Sequence, residues 1–238
     1  MKFSSVFVAV SLVAVLASCQ KSNQSVGKVV LKNETDSLSY ALGINIAQSF
    51  KNGKLDEINY KALARAVQDY YKNDSSNIKM NDEAAMKYIQ EFLGRREQKI
   101  ADKNLEEGNK FLEENKTKEG VIVDSTGLQY KVITEGTGAQ PTAEDVVKVH
   151  YTGTFIDGTK FDSSYDNGEP AQFQLNRVIR GWTIGVQKMK VGAKYMFYIP
   201  ADLGYGTQVR PGGPIGPNQA LVFEVELLEI VKETAKKK

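Results

Sequence analysis

The fold of the C-terminal half of the chain is decided by the stretch Leu221-Val222-Phe223-Glu224-Val225-Glu226-Leu227. Apolar and polar side chains alternate along this stretch, so that every second residue lies on the same face of a β-strand. Leu221, Phe223, Val225 and Leu227 share one face, and Val222 shares the other with the two glutamates. A strand with one apolar and one polar face is typical of an antiparallel sheet that covers a core on one side and meets water on the other.

Similar strand patterns precede this stretch. β-Branched and aromatic residues are frequent in Leu128–Ile133, Val146–Tyr151 and Tyr195–Ile199, and Asp157-Gly158 is typical of a hairpin turn before the short strand Lys160-Phe161. Between these strands, Val178–Met189 predicts a short helix. The order of elements predicts an antiparallel β-sheet wrapped around one short α-helix, over residues 120–238.

The preceding residues, 36–119, have helical periodicity instead. A first helix is expected after a cap at Asp36 or Ser37, with apolar residues at every fourth position: Leu38, Leu42, Ile46 and Phe50. Asn59 is expected to cap a second helix, and a third begins near Asn81 and runs to about Lys118, on the order of 55 Å. The whole chain is therefore predicted to be α+β.

The third helix has a thin apolar stripe and charges around most of its circumference, which predicts poor burial. Two short amphipathic helices and one exposed rod have too little apolar area to enclose a core. We therefore expect a second copy of the chain to complete it, which makes residues 36–119 a dimerisation region with a long connecting helix. The alternative is that these helices pack on their own C-terminal domain.

The first residues are typical of an export signal. Lys2 supplies a positive charge, and Val6–Ala17 is a nearly unbroken apolar stretch of about 12 residues, too short for a permanent membrane span. The only cysteine of the chain follows in Leu16-Ala17-Ser18-Cys19, which resembles the lipobox of bacterial lipoproteins. That resemblance implies lipid on Cys19. A chance cysteine near an ordinary cleavage site is the alternative.

The lipobox divides the N-terminus into a signal peptide, residues 1–18, and a polar, flexible tether, residues 19–35. More than one acyl chain on the cysteine anchors a protein stably to a membrane. The expected location is the bacterial envelope, on the outer membrane and facing the periplasm.

Composition and residue counts exclude several functions. The 31 Lys and Arg residues nearly balance the 29 Asp and Glu residues, so no cationic face for nucleic acid is expected. The sole histidine, His150, lies in a predicted strand, and the sole cysteine precedes the folded region, so no hydrolase triad can form. No metal site and no cofactor are expected, because neither ligand spacing nor a nucleotide-binding fingerprint is present.

Five motifs occur in one order along the C-terminal half: Val149-His150-Tyr151-Thr152-Gly153, Gly158-Thr159-Lys160-Phe161-Asp162-Ser163-Ser164, Val178-Ile179-Arg180-Gly181-Trp182, Gly204-Tyr205-Gly206, and Leu221–Leu228. Together they resemble the FKBP-type peptidyl-prolyl cis/trans isomerases. Upstream, Ser39-Tyr40-Ala41-Leu42-Gly43 and the long helix resemble the N-terminal dimerisation region of macrophage infectivity potentiator and related periplasmic FKBP chaperones.

The resemblance implies a proline pocket. Three residues are expected to act in catalysis: Asp162, Tyr205 and Tyr151. Six more are expected to bind substrate: Phe161, Val178, Ile179, Trp182, Phe223 and Ile215. By the same resemblance, the Ile179 N–H and the Tyr205 hydroxyl donate hydrogen bonds to ligand carbonyls. Taken singly, a buried aromatic such as Trp182 is more often a core residue.

The expected function is isomerisation of proline peptide bonds in unfolded or nascent exported polypeptides. A chaperone that is dimeric and holds clients, with isomerase activity secondary, is the alternative function. An isomerase assay and an aggregation-suppression assay would separate the two.

Overall fold

A computed structural model describes residues 27–53, 55, 57–72, 76–210 and 212–231. The predicted signal peptide and Cys19 lie outside the described residues. The chain divides into two compact units, Met1–Lys79 and Met80–Lys238. Among the helices of the described ranges, none is long and apolar enough to cross a membrane.

The first unit contains helices α1 (Glu34–Asn52) and α2 (Tyr60–Tyr71). Helix α1 begins earlier than predicted, because the side chain of Asn33 caps it by accepting a hydrogen bond from the Asp36 N–H at 2.9 Å. The predicted cap of α2 at Asn59 is confirmed. Helix α1 has no buried residue, so its apolar side chains are exposed.

The second unit begins with helix α3 (Asp82–Asn115), which starts near Asn81 as predicted, and the Asn81 side chain caps it. The N-terminal half of α3 is exposed, whereas one face of its C-terminal half is buried: Ala101, Gly108, Leu112 and Asn115. This corrects the expectation of a helix that is poorly buried throughout. The helix groups with the sheet, whereas the sequence placed the domain boundary after residue 119.

Close packing explains the burial of α3. A Cβ atom on Gly108 would lie 2.9 Å from the Cβ of Ala220, so the helix approaches the sheet domain at a distance that only glycine allows. One turn further along, Gln129 donates a hydrogen bond to the Leu112 carbonyl at 2.9 Å and accepts one from the Asn115 side chain at 3.0 Å. These contacts fix the C-terminal half of α3 to the domain.

Seven strands form one antiparallel sheet: β1 (Val121–Val123), β2 (Gln129–Thr134), β3 (Val146–Phe155), β4 (Lys160–Ser163), β5 (Ala171–Gln174), β6 (Lys194–Ile199) and β7 (Leu221–Val231). Their order is β1-β2-β6-β7-β3-β4, and β5 pairs with β3. The predicted alternation is confirmed in β7, where Leu221, Phe223, Val225 and Leu227 are buried. Strands β1 and β5 were not predicted.

The sheet wraps around helix α4 (Arg180–Val186), which presents Trp182 and Val186 to the core. The helix is shorter than the predicted span because the backbone of Val178 and Ile179 is extended. The predicted fold, α+β with an antiparallel sheet around a short helix, is confirmed.

Candidate active site

A cavity of about 770 Å³ opens beside α4. All nine predicted site residues line it: Tyr151, Phe161, Asp162, Val178, Ile179, Trp182, Tyr205, Ile215 and Phe223. Strands β3, β4 and β7 supply part of the lining, the start of α4 supplies another part, and loops supply the rest. Residues that are scattered along the sequence therefore meet in one place.

The indole of Trp182 forms the floor of the cavity. The rings of Tyr151 and Phe223 stand perpendicular to it, each with its centroid 5.3 Å from the indole and an interplanar angle of 87°. The ring of Phe161 is in turn perpendicular to Phe223, at 5.5 Å. Edge-to-face packing of this kind stabilises aromatic clusters beyond the area they bury. The result is an apolar box with upright walls.

The wall on β3 and β7 depends on a glycine. Gly153 pairs with Phe223 across the two strands. A Cβ atom at this position would lie 2.7 Å from Phe161 and 2.8 Å from Phe223. Gly153 therefore makes room for both rings to meet at the edge of the cavity.

The polar side of the cavity contains Asp162 and two tyrosines. The hydroxyl of Tyr151 donates a hydrogen bond to the Asp162 carboxylate at 2.6 Å. Burial, followed by this bond, raises the pKa of Tyr151 above its ordinary value. Burial and the charge of Asp162 likewise raise the pKa of Tyr205. Both tyrosines are therefore neutral at physiological pH, and the Tyr205 hydroxyl is a potential hydrogen-bond donor.

Two N–H groups also belong to residues that line the cavity. Within the described ranges, no protein oxygen accepts a hydrogen bond from the Ile179 N–H or from the buried indole nitrogen of Trp182. Ile179 precedes the first turn of α4 in an extended conformation. The Ile179 N–H, which belongs to a half-buried residue of the lining, can therefore donate to a ligand in the cavity, whereas the indole nitrogen of Trp182 is enclosed by the protein.

The structure also places residues in the cavity that the sequence reasoning missed: Phe173, Arg177, Val209, Arg210, Gly213 and Pro214. Phe173 lies on β5, edge-on to the Trp182 indole at 5.5 Å. Phe173 therefore adds an aromatic wall on the β5 side of the cavity. Five of the missed or predicted lining residues lie between residues 207 and 219. We call residues 207–210 and 212–219 the flap.

His150 does not reach the cavity lining. Its ring stacks on Tyr165 at 4.3 Å, and its Nδ1 lies 3.0 Å from the Ser164 hydroxyl. That hydroxyl also accepts the Tyr151 N–H at 2.9 Å. His150 therefore contacts Ser164, whose hydroxyl in turn binds the backbone of Tyr151. Over the described part of the chain, no group of three or more potential ligands is placed to hold a metal ion.

This geometry defines a class of protein that encloses a small apolar ring of a peptide-like ligand and offers neutral hydrogen-bond donors to it. Comparison with known proteins narrows the class. Residues 137–228 match the family described as FKBP-type peptidyl-prolyl cis-trans isomerase. Residues 35–132 match the family described as the domain amino terminal to FKBP-type peptidyl-prolyl isomerase.

Similar proteins cover most of the chain. The outer membrane protein MIP of Legionella longbeachae is 41% identical over 208 residues, covering 85% of this chain and 88% of that protein. The FKBP-type peptidyl-prolyl cis-trans isomerase FkpA of Aeromonas hydrophila is 38% identical over 263 positions, covering 96% of each. The crystal structure of FkpA from Escherichia coli matches with a TM-score of 0.65 and 36% identity, over 84% of this chain and 98% of that one.

The chain therefore belongs to the FKBP-type peptidyl-prolyl cis-trans isomerase family. It is an enzyme that isomerises the peptide bond before proline in polypeptide substrates and assists their folding. The resemblance drawn from the motifs is confirmed. The findings favour this function over that of a dimeric holding chaperone.

Proposed function

We propose that the aromatic cavity is the catalytic site, with the proline ring of a substrate lying on Trp182. The perpendicular packing of Tyr151 and Phe223 around the indole is the observation that most supports this role. Upright aromatic walls hold an apolar five-membered ring by contact on several sides and exclude water. Phe161, Val178 and Ile215 extend the apolar lining.

Catalysis in such a site requires no covalent chemistry. Rotation about an X–Pro bond is slow because the amide loses its resonance, with a barrier of about 20 kcal/mol. The planar amide is more charge-separated than the twisted one, so a dry apolar cavity disfavours the planar ground state relative to the twisted state. The Ile179 N–H and the Tyr205 hydroxyl donate hydrogen bonds to substrate carbonyls and hold the flanking peptide while the bond turns.

Asp162 acts through Tyr151 and through its charge. Its carboxylate accepts the Tyr151 hydroxyl at 2.6 Å, which fixes the ring of Tyr151 as a wall of the cavity. Its negative charge also lies close enough to raise the pKa of Tyr205. Asp162 therefore adds to the effect of burial on both tyrosines, and it lies at the edge of the cavity where it meets the twisted amide.

The roles of the polar residues are tested by isosteric changes. Tyr205→Phe should lower kcat/KM on a tetrapeptide p-nitroanilide by roughly five- to tenfold, because one donor to the substrate is lost. Asp162→Asn should lower it by about tenfold without unfolding the domain. Tyr71→Phe, at a side chain that is 91% exposed, and Asp102→Asn, on the exposed surface of α3, serve as controls. Wild-type rates in both site variants would contradict the assignment.

We further propose that the protein acts on exported polypeptides from a lipid anchor on Cys19, at the outer membrane and facing the periplasm. The sequence Leu16-Ala17-Ser18-Cys19 supports the anchor. The name of the similar Legionella protein, an outer membrane protein, supports the location.

Labelled palmitate and membrane fractionation test the anchor. Cys19→Ser should abolish lipid incorporation and release the exported protein from the membrane. The double variant Cys19→Ser/Ser22→Cys keeps one thiol in the same segment but should remain unlabelled. A wild-type protein that is wholly soluble after lysis, with a free thiol, would overturn the proposal.

The chain is also proposed to form a homodimer through α1 and α2. The support is the exposure of their apolar side chains: Leu38 is 62% exposed, Leu42 56% and Val67 54%. Helix α1 buries no residue at all. Apolar stripes of this kind are seldom left in water, and a second copy would cover them in a two-fold arrangement.

Light scattering coupled to size-exclusion chromatography tests the dimer on the lipid-free protein from Gln20 onward. Wild type should have the mass of two chains, and Leu42→Asp/Ile46→Asp should have the mass of one while keeping its kcat/KM on short peptides. Ser37→Asp/Gln48→Asp adds the same charge about 120–140° away around α1 and should stay dimeric. A monomeric wild type at micromolar concentration would contradict the proposal.

A further inference from the structure

The described residues of the flap, which closes one side of the cavity, make few hydrogen bonds to the rest of the domain, although Ile215 packs against the core. The flap contributes Val209, Arg210, Gly213, Pro214 and Ile215 to the lining. Its two ends are joined to each other, because the Asn218 N–H donates to the Gly206 carbonyl at 2.7 Å. A loop with few hydrogen bonds to the rest of its domain samples several conformations. Each conformation that displaces the residues lining the cavity weakens the binding of a ligand there.

A residue of helix α3 holds the flap from outside. The Asn104 side chain donates a hydrogen bond to the Pro217 carbonyl at 2.8 Å, across 113 positions of sequence. Pro217 is buried, and Asn104 is half-buried. Between the described flap residues and any helix or strand, this is the one hydrogen bond.

The backbone of the flap lies directly against the same side chain. A Cβ atom on Gly216 would be 3.0 Å from the Asn104 amide nitrogen and 3.9 Å from Ile100. The ring of Pro217 fixes its φ angle, which removes one of the torsions between its carbonyl and Gly216. A displacement of that carbonyl is thereby coupled to Gly216 and to Ile215, which lines the cavity two residues earlier.

We infer that Asn104 is a positioning residue of the active site: through its bond to Pro217, helix α3 holds the flap in place and sets the affinity for the peptide substrate. The inference rests on the isomerase function and on the proposed catalytic role of the cavity. Helix α3 thereby acts on the pocket from outside its lining, through the flap.

The size of the effect follows from the strength of one hydrogen bond. Losing such a bond shifts an equilibrium by about fivefold. Binding weakens in proportion to the fraction of molecules whose flap is in place. We therefore expect KM to rise by about two- to fivefold while kcat stays the same, because the groups on Trp182, Tyr205 and Ile179 are untouched.

The test compares Asn104→Asp with Asn109→Asp in the full lipid-free chain. Aspartate keeps the shape of asparagine but has no N–H to donate. Asn109 is exposed on the same helix, about 140° away around its axis, so its variant carries the same new charge. KM and kcat are measured on a tetrapeptide p-nitroanilide, and thermal unfolding is measured in parallel.

The expected result is a raised KM in Asn104→Asp alone, with kcat and the midpoint of thermal unfolding matching those of Asn109→Asp. Gly216→Ala, which crowds the same contact from the flap side, should raise KM in the same way. The Ile215 methyl resonance in NMR spectra should shift in Asn104→Asp and in Gly216→Ala. Because the resonance is measured on the folded protein, it tests the position of the flap even if Asn104→Asp lowers stability.

Equal KM values and an unshifted Ile215 resonance in Asn104→Asp and Asn109→Asp would overturn the inference. A wild type with no isomerase activity would instead contradict the function of the whole chain. A wild type that is active but insensitive to Tyr205→Phe and Asp162→Asn would contradict the proposed site. The three failures are thus distinguishable.

Discussion

The first unit and the sheet domain both have clear apolar patterns, but they differ in whether the apolar residues are buried. Helix α1 repeats apolar residues every four positions yet buries none of them. Strand β3 alternates with similar regularity and buries every second residue from Val147 to Gly153. The difference teaches that a pattern predicts which face is apolar but not what covers it. In the sheet, α4 of the same chain covers the face, whereas α1 has no buried residue.

The largest expected effect tests this difference in burial through the free energy of unfolding of the sheet domain. Phe197→Ala removes a fully buried ring from the sheet domain and should lower the free energy of unfolding by about 3–5 kcal/mol. Leu42→Ala, at a side chain that is 56% exposed, should leave the unfolding of that domain unchanged. Urea titration followed by fluorescence measures this selectively, because Trp182 is the only tryptophan. A loss under about 1 kcal/mol for Phe197→Ala would contradict the contrast.

A second prediction concerns helix α3, where exposed and packed halves meet in one element. Gly94→Ala should stabilise the helix by up to about 1 kcal/mol, since a Cβ atom there meets nothing within 4 Å. Gly108→Ala gains the same helical preference but places its methyl group 2.9 Å from Ala220. We expect a net loss of about 1 kcal/mol there.

The matched pair is measured by thermal and urea unfolding of the lipid-free chain. Ala220→Gly in the Gly108→Ala background should restore the lost stability, because it removes the group that is crowded. If Gly108→Ala stabilises the protein as Gly94→Ala does, then the helix does not pack on the domain as closely as Gly108 and Ala220 indicate.

Much of the fold could be predicted because alternation and helical spacing are local signals. The predicted strands, the cap at Asn59 and the start of α3 near Asn81 depend on residues near each other in sequence. Strand β1 has only three residues and β5 has four, too few for a period to emerge. The docking of α3 was missed because its buried residues include a glycine and an asparagine, which no apolar pattern signals.

The residues of the candidate site likewise include some that the sequence could predict and some that it could not. Eight of the nine predicted residues belong to ordered motifs, so family resemblance located them before their geometry was known; Ile215 lies in the flap, outside those motifs. Arg177, Val209 and Pro214 belong to segments without periodicity, and only the path of the chain brings them to the cavity. Phe173 had a usable signal, since it is an aromatic residue between two glutamines. The contact of Asn104 with Pro217 had none, because it joins positions far apart in sequence.

The smallest expected effect is a pH dependence that reports on the docking of α3. Burial raises the pKa of Tyr198 above the ordinary value of 10.0, and Phe111 of α3 lies against its ring at a centroid distance of 6.1 Å. The unfolded chain then releases this proton at lower pH than the folded protein does. Below pH 10 both states keep the proton and the stabilisation is complete; above pH 10 the unfolded state ionises first, and stability falls as pH rises towards the folded pKa.

Urea unfolding at about pH 8 and about pH 10.5 measures this loss. Wild type should be less stable at the higher pH, and Tyr198→Phe should lose less, because phenylalanine has no proton to release. Phe111→Ala uncovers the ring of Tyr198, lowers its folded pKa towards the ordinary value and should therefore also reduce the loss. If Phe111→Ala changes stability equally at both pH values, then the burial of Tyr198 does not depend on α3, and the helix contributes less to the domain than its contacts indicate.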